Sequence, residues 1–276
     1  MNLIDYSKNV NSQFGEDGIL AKVLELVPNR DHWCVEFGAW DGRFLSNTCR
    51  LIEEEEYSAV LIEGDRGKFE ELRQNFSSQQ RVIPLHQFVG FEKNTLDEIL
   101  SKTPIPKGFD FISIDIDGCD YHIWESLVNY HPKVVCVEFN PTIANGIHFV
   151  QARDFSVASG ASLDALVALG SAKGYELVAV TRNNGIFVKR EIYPLFGISS
   201  NSAADLRTDT SWVSHVVCGY DGELIITGAN LNPWNGIQLS RMIRQLPQPI
   251  RVFPSSMGFF RRKLLGLWKK LFRLVG

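Results

Sequence analysis

The stretch 33-WCVEFGAWDG-42 is a short apolar run that breaks into glycines and an aspartate, and 58-SAVLIEGD-65 repeats the layout about one helix later. A third stretch, 110-DFISIDIDGCDY-121, ends another apolar run in aspartates. Short runs rich in Val and Ile, without polar alternation, read as strands covered on both faces, as in parallel sheets. The same signal recurs in RVIPLHQFV (81–89) and KVVCVEF (133–139). Between these runs the apolar spacing changes to a helical one. Ile19, Leu20, Val23, Leu24 and Val27 mark a helix in 15–27, and further helices are expected near Ser46–Glu56, at Lys68–Phe76, in LDEILSK (96–102) and in YHIWESLV (121–128). Strands joined by helices need right-handed crossovers, so the expected core is an α/β fold with a doubly wound, mostly parallel sheet. SLDALVALGSAKG (162–174) adds a helix ended by Gly174, and YELVAVT (175–181) with NGIFVKR (184–190) reads as a closing antiparallel pair, giving about seven strands.

At 276 residues, 45% hydrophobic and 22% charged, the chain has an ordinary globular composition and can bury a sizeable core. No apolar run approaches the roughly 20 residues that span a bilayer, and the opening MNLIDYSKNVNSQFGEDG lacks a secretory layout. Cys34, Cys49, Cys119, Cys136 and Cys218 are scattered with no paired spacing, which fits reduced thiols and a cytoplasmic location. The net charge of −4 conceals an asymmetry: residues 259–276 carry +6 and no acid, leaving −10 on residues 1–258. An acidic body excludes a nucleic-acid-binding core. Residues 191–258 are irregular, with Pro, Gly, Asn and Ser throughout, and are expected to bind an acceptor or pack on the core.

Gly38 and Gly42 allow a tight turn off the first strand and close approach of a ligand to the backbone. The spacing is not GxGxxG and no Lys-Ser/Thr pair follows, so a phosphate-cradling loop fits poorly. Glu63, about 25 residues beyond Gly38, ends the next strand, where a carboxylate can accept from both hydroxyls of a ribose. The plainer alternative is a strand-to-helix turn with a surface acid.

Asp115, Asp117 and Asp120 crowd one strand end, and Glu138 and Asn140 end the next. Alternation would project Asp115 and Asp117 together. Like charges this close need a cation, shared protons or backbone donors, and hard oxygen ligands suit Mg²⁺ or Ca²⁺. Two alternatives stand beside a metal. Asp115 serves as a metal-free general base, or Asp117 caps the following helix while Asp120 opens it. His122 reads as a surface or packing residue. His148, in 140-NPTIANGIHFVQARDF-155, is a candidate proton acceptor, with Arg153 and Asp154 candidates for the acceptor loop.

EFGAWDG, LIEGD and DFISIDIDG, in that order, resemble the class I S-adenosylmethionine (SAM)-dependent methyltransferases with their Rossmann-like sheet, and most nearly the FkbM-like branch associated with O-methylation of sugars and natural products. 12-SQFGEDGIL-20 resembles the opening of such proteins, and GYELVAV with NNGIFVKR their final strand pair, so the likeness covers about residues 11–190. The resemblance implies a methyltransferase-like domain over 1–190. It puts Glu36, Gly38 and Asp41 near the methionine part of SAM, with Asp115 also among the cofactor contacts. It assigns Glu63 to the ribose with Asp65 beside it, and Gln87 to the adenine. The first motif is less glycine-rich than usual, Trp40 stands where a small residue is common, and the familiar D-x-E-G reads D-I-D-G. The acids after strands four and five resemble the metal-dependent O-methyltransferases, which would make Asp115, Asp117, Glu138 and Asn140 ligands of Mg²⁺.

In 259-FFRRKLLGLWKKLFRLVG-276 apolar residues at 260, 264, 267, 268, 271 and 275 form a helical stripe, with most charges elsewhere around the wheel. Such a helix can lie on an anionic leaflet, fill a groove of a biosynthetic partner protein, or pack on its own acidic body. The leading expectation is a peripheral enzyme of the inner membrane face that methylates a hydroxyl of a glycan or lipid-linked glycan. The alternatives are a non-catalytic membrane-associated adaptor and, disfavoured by the missing GxGxxG, a nicotinamide-dependent dehydrogenase.

Overall fold

The apolar runs form the strands of one seven-stranded sheet in the order β3-β2-β1-β4-β5-β7-β6. In this computed structural model β1 is Trp33–Phe37, β2 Ser58–Glu63, β3 Val82–His86, β4 Phe111–Ile114 and β5 Val134–Glu138, all parallel. β6 (Tyr175–Val180) and β7 (Asn184–Lys189) close the sheet as the expected antiparallel pair, with β7 running against β5. The doubly wound, mostly parallel expectation is met. The structure describes residues 1–219, 224–229, 231–232, 237–238 and 257–273. Most of the extension after 238, and Val275 of the apolar stripe, lie outside the described residues.

Six helices accompany the sheet: α1 (Glu16–Leu26), α2 (Cys49–Glu54), α3 (Arg66–Asn75), α4 (Leu96–Leu100), α5 (Asp120–Ser126) and α6 (Leu163–Ala172). The starts of α3, α4 and α6 follow side-chain chemistry. Asp65 accepts from Lys68 N at 2.9 Å, Thr95 and Glu98 form a reciprocal capping box, and Ser162 accepts from Ala165 N at 3.2 Å. α2 is shorter than expected because residues 46–48 are drawn off to bind Glu36. The two sheet faces build two cores. Phe37, Ile62, Ile114 and Val137 lie on one, with Trp124 packed 5.0 Å from Phe187. Cys34, Ala59, Phe111 and Cys136 lie on the other, against Ile19 and Leu20 of α1. At the amino edge the fully buried Asp110 accepts from Asp31 N, from His32 N and, at 2.6 Å, from Lys133 Nζ.

Contacts divide the chain into two compact units, Met1–Thr210 and Ser211–Gly276. The first continues past β7 through a 3-10 turn at Tyr193–Phe196 and α7 (Ala203–Leu206). Arg207 ties this segment back, donating to the carbonyls of Pro141 and Ile143, and Arg182 pairs with Asp209 at 2.9 Å. In the second unit β8 (Ser214–Cys218) pairs antiparallel with β9 (Leu224–Gly228), β10 (Leu231–Asn232) with β11 (Ile237–Gln238), and α8 spans Phe259–Arg273. No helix among the described residues is long and apolar enough to cross a membrane.

Gly38 is the tightest point of the β1 exit. Its φ is +68°, and a Cβ there would stand 2.1 Å from the carbonyl oxygen of Asp115. The glycine is demanded by the neighbouring strand's backbone. Gly146, at φ +82°, has open space around it. Gly146→Ala should therefore cost only the backbone penalty of about 1 kcal/mol, whereas Gly38→Ala should cost roughly 3 kcal/mol or more in urea denaturation. Equal costs would show that the β1–β4 approach is not tight.

Candidate active site

Parallel register decides what meets at the carboxyl edge. Ile62, Phe37 and Ile114 are partners across β2, β1 and β4, and Ile114 pairs with Val137 of β5. One residue further along each strand come Glu63, Gly38, Asp115 and Glu138. Alternation turns Glu63 and Glu138 toward the α1 face, the same face as Leu61 and Cys136, while Asp115 follows the end of β4. The row reads acid, glycine, acid, acid. Gly38 puts no side chain between Glu63 and Asp115, whose strands are about 10 Å apart at ordinary sheet spacing, and the Asp115 carbonyl closes against it.

Glu63 is buried but not consumed. Its Oε2 accepts from Trp40 N and its Oε1 from Asp65 N, both at 2.7 Å, so each oxygen keeps a free lone pair. The bond to Trp40 N holds the β1 loop, in which Trp40 has φ +52° and its ring lies under Lys68 Nζ at 4.7 Å. Asp65 caps α3, and Asp41 accepts from the amides of Arg43 and Phe44, so both carboxylates organise turns.

Glu36 points under the edge. Ser46 Oγ and Thr48 Oγ1 donate to its Oε2 at 2.6 and 2.7 Å, and Asn47 N to its Oε1 at 2.8 Å. Burial pushes its carboxyl up despite these donors. Glu36 thus works as the clasp of the loop leading into α2. Asp120 is likewise employed: Ile116 N and Gly118 N donate to it at 2.8 and 2.9 Å. Those bonds end β4 at Ile114 and curl 115–118 into a turn with Asp117 at φ +55°. Asp115 and Asp117 therefore converge through a turn rather than by strand alternation, and Asp120, not Asp117, satisfies the amides before α5.

What remains is Asp115, Asp117 and Glu138, which can each bring one oxygen within 4.8 Å of the others'. Asn183 Nδ2 donates to Glu138 Oε1 at 2.9 Å, while Glu138 Oε2 is buried without a partner. Burial, then the carboxylates of Asp115, Asp120 and Asp117, hold Glu138 well above the usual range. Asp115 is raised in the same way, by burial and then by Asp120, Asp117, Glu36 and Glu16. The fourth expected ligand differs: Asn140 Oδ1 accepts from Thr142 N and Oγ1, and its amide donates to Ser159 O, so it staples the loop after β5. His148 lies exposed on that loop. His122 packs at 6.1 Å from Phe91, with Nε2 3.0 Å from Gln151 O. Arg153 covers the Phe91 ring at 4.6 Å, and Asp154 turns the chain by accepting from Ser156 N. Gln87 is half-buried beside the β2 exit, its backbone N donating to Glu63 O at 3.0 Å.

Several residues that organise the site carried no sequence signal strong enough to single them out. Glu16 Oε1 accepts from Thr181 Oγ1 at 2.6 Å and Asn184 Nδ2 at 3.1 Å, tying α1 to the β6–β7 turn. Asp17 Oδ2 gathers the amides of Val10, Asn11 and Ser12 at 2.7–2.8 Å. Gln151 Oε1 accepts from Ser159 N and Gly160 N, fixing the loop that carries Asn140's partner.

The crowding has a pH signature. Asp120 is pushed up to about 6, chiefly by burial. A carboxyl raised on folding takes up a proton as the chain folds. Its contribution is therefore most favourable below the unfolded value, about 3.9 for Asp, and declines as pH rises through about 6. Glu138 shifts in the same direction. In metal-free buffer the urea midpoint should therefore fall between about pH 5 and pH 7.5. Glu138→Gln, which keeps an oxygen for Asn183, should flatten the fall; an equally steep decline would place its source elsewhere.

No protein-family model matches the chain, and neither does any curated protein. Among solved structures it is similar to a SAM-dependent methyltransferase from Aquifex aeolicus, at 12% identity and a TM-score of 0.39 over 63% of this chain and 89% of that one. It is also similar to the N-terminal domain of EvdMO1 with SAH bound, at 12% identity and a TM-score of 0.41 over 63% and 80%. A third similarity is to M. capricolum TrmK in complex with S-adenosyl-homocysteine, at 14% identity and a TM-score of 0.36 over 61% and 65%.

Proposed function

We propose that the protein is a SAM-dependent O-methyltransferase acting on a sugar hydroxyl of a glycan or lipid-linked glycan. The observation that carries this reading is the acid–glycine–acid–acid row at the carboxyl edge, where open α/β sheets bind ligands. Glu63 offers two rigidly held acceptors to the vicinal hydroxyls of a ribose. A nucleoside held by Glu63 would lie along this edge, with Gln87 on the adenine side. SAM supplies an electrophilic methyl carbon. The chain's own task is to align a hydroxyl with that carbon and to accept its proton. Asp115 suits proton transfer, since burial and its acidic neighbours make it a stronger base than an ordinary carboxylate.

Asp115, Asp117 and Glu138 also fit Mg²⁺ in donor type, and the partnerless Glu138 Oε2 is the atom a cation would satisfy. A bound ion would make an acceptor hydroxyl more acidic. Exposed Phe44 and Phe88, on the loops after β1 and β3, offer aromatic surface suited to the apolar face of a sugar ring.

Calorimetric titration of SAM and its demethylated product, with EDTA and then with Mg²⁺, tests this. Micromolar binding is expected, weakened about 10- to 100-fold by Glu63→Ala, the loss of roughly two hydrogen bonds. If neither nucleoside binds under either condition, the transferase reading fails and the adaptor alternative takes its place. Mg²⁺ or Mn²⁺ alone should raise the unfolding temperature of the wild type and leave Glu138→Gln unmoved. No response from the wild type would leave Asp115 as a metal-free base.

A further inference from the structure

Helix α8 has a face for which the enzyme reading has no use. Its positions 260, 264 and 267 share one side of the helix, at the i, i+4, i+7 spacing. Phe260 is 80% exposed, and Leu264 and Leu267 are each more than half exposed. The cations are arranged around this stripe. Lys263 and Lys270 flank one margin, Arg261 stands near the other beside Trp268, and Arg262 lies opposite; all four cations are exposed. No acid lies in residues 257–273. At 15 residues the helix is about 22 Å long, well short of the roughly 30 Å hydrocarbon core.

We propose that α8 docks the protein on an anionic lipid surface, lying in the plane of the interface with Phe260, Leu264 and Leu267 in the acyl region. Lys263, Lys270 and Arg261 reach sideways to lipid phosphates. Lysine and arginine at the margins of an apolar stripe can bury their stems while keeping their charges at the headgroups. Charge complementarity favours lipid over a protein groove. A groove needs an apolar cleft matched to three side chains, whereas a net positive helix without a single acid needs only a diffuse negative surface. The docking does not depend on methyl transfer, so it can be read without SAM.

The test is flotation of the full chain with vesicles of phosphatidylcholine alone or with about one third phosphatidylglycerol. Binding is expected to the anionic vesicles and to fall at least tenfold between about 0.1 and 0.5 M NaCl, as screening shortens the reach of the surface charge. Leu264→Glu with Leu267→Glu should cut partitioning by about thirtyfold or more, since two apolar side chains no longer enter the bilayer. Arg261→Gln, Lys263→Gln and Lys270→Gln together should cut it about a hundredfold, near fivefold per cation. All five side chains are exposed, and unchanged circular dichroism and urea midpoints would confirm an intact fold. Equal binding to neutral vesicles, indifference to the leucine substitutions, or binding to neither vesicle would overturn the proposal. The last outcome would leave a protein groove as the occupant.

Discussion

Four adjacent parallel strands pair residue for residue here, and each carries an acid or a glycine at its carboxyl end or one residue beyond it. Once Ile62, Phe37, Ile114 and Val137 are in register, Glu63, Gly38, Asp115 and Glu138 have no choice but to share a row. A one-residue slip in any pair would turn an acid into the opposite core, among Phe37, Ile62 and Val137, where nothing could hydrate it. The apolar lower parts of the strands thus fix the chemistry at their tops. Gly38 sets the closeness of β1 and β4 at this level, because no side chain fits against the Asp115 carbonyl.

Carboxylates packed this closely destabilise a fold unless each finds compensation. Most do, and by local means. Glu36 has the 46–48 turn, Asp17 a nest of three amides, Asp120 two amides and Glu16 two side-chain donors. These acids shape loops, though Asp17 Oδ1 is buried without a partner. Among the residues of the strand-end row and the turn after it, the uncompensated groups are Asp115, Asp117 and one oxygen of Glu138. In the strand-end row, local consistency fails at this cluster, which is where function is expected.

The strands and their order of appearance were legible in the sequence because continuous Val/Ile runs bounded by turn residues have few other readings. The end of β4 was not. Alternation carried the strand to residue 117, but Asp120 takes the amides of Ile116 and Gly118 and stops it at Ile114. A period-two rule cannot see an acceptor several residues downstream. Asp115, Asp117 and Glu138 were legible as a cluster from their positions at strand ends. Asn140, two residues beyond Glu138, looked equivalent to them. Its amide is instead spent on Thr142 and Ser159, a loop closure that depends on the fold of 151–160. Asn184 read only as the first residue of the last strand and Asn183 as the residue before it, so neither side chain was singled out.

Those two asparagines explain why an antiparallel strand belongs beside β5. A parallel strand arrives at the carboxyl edge with its last residue, and its following turn leads away. β7 instead begins there, so Asn184 pairs with Glu138 and the preceding turn lies over the edge itself. Thr181, Asn183 and Asn184 thereby deliver donors laterally to acids of two different elements, Glu16 of α1 and Glu138 of β5. Phe139 N then donates to Asn183 O at 2.7 Å, holding the turn against β5 one residue beyond the last paired one. Through this bracket Glu138 is anchored by one oxygen only. With Oε1 fixed, Oε2 is aimed and cannot swing to find a donor elsewhere. The reversal of a single strand supplies the orientation that a reactive carboxylate cluster requires.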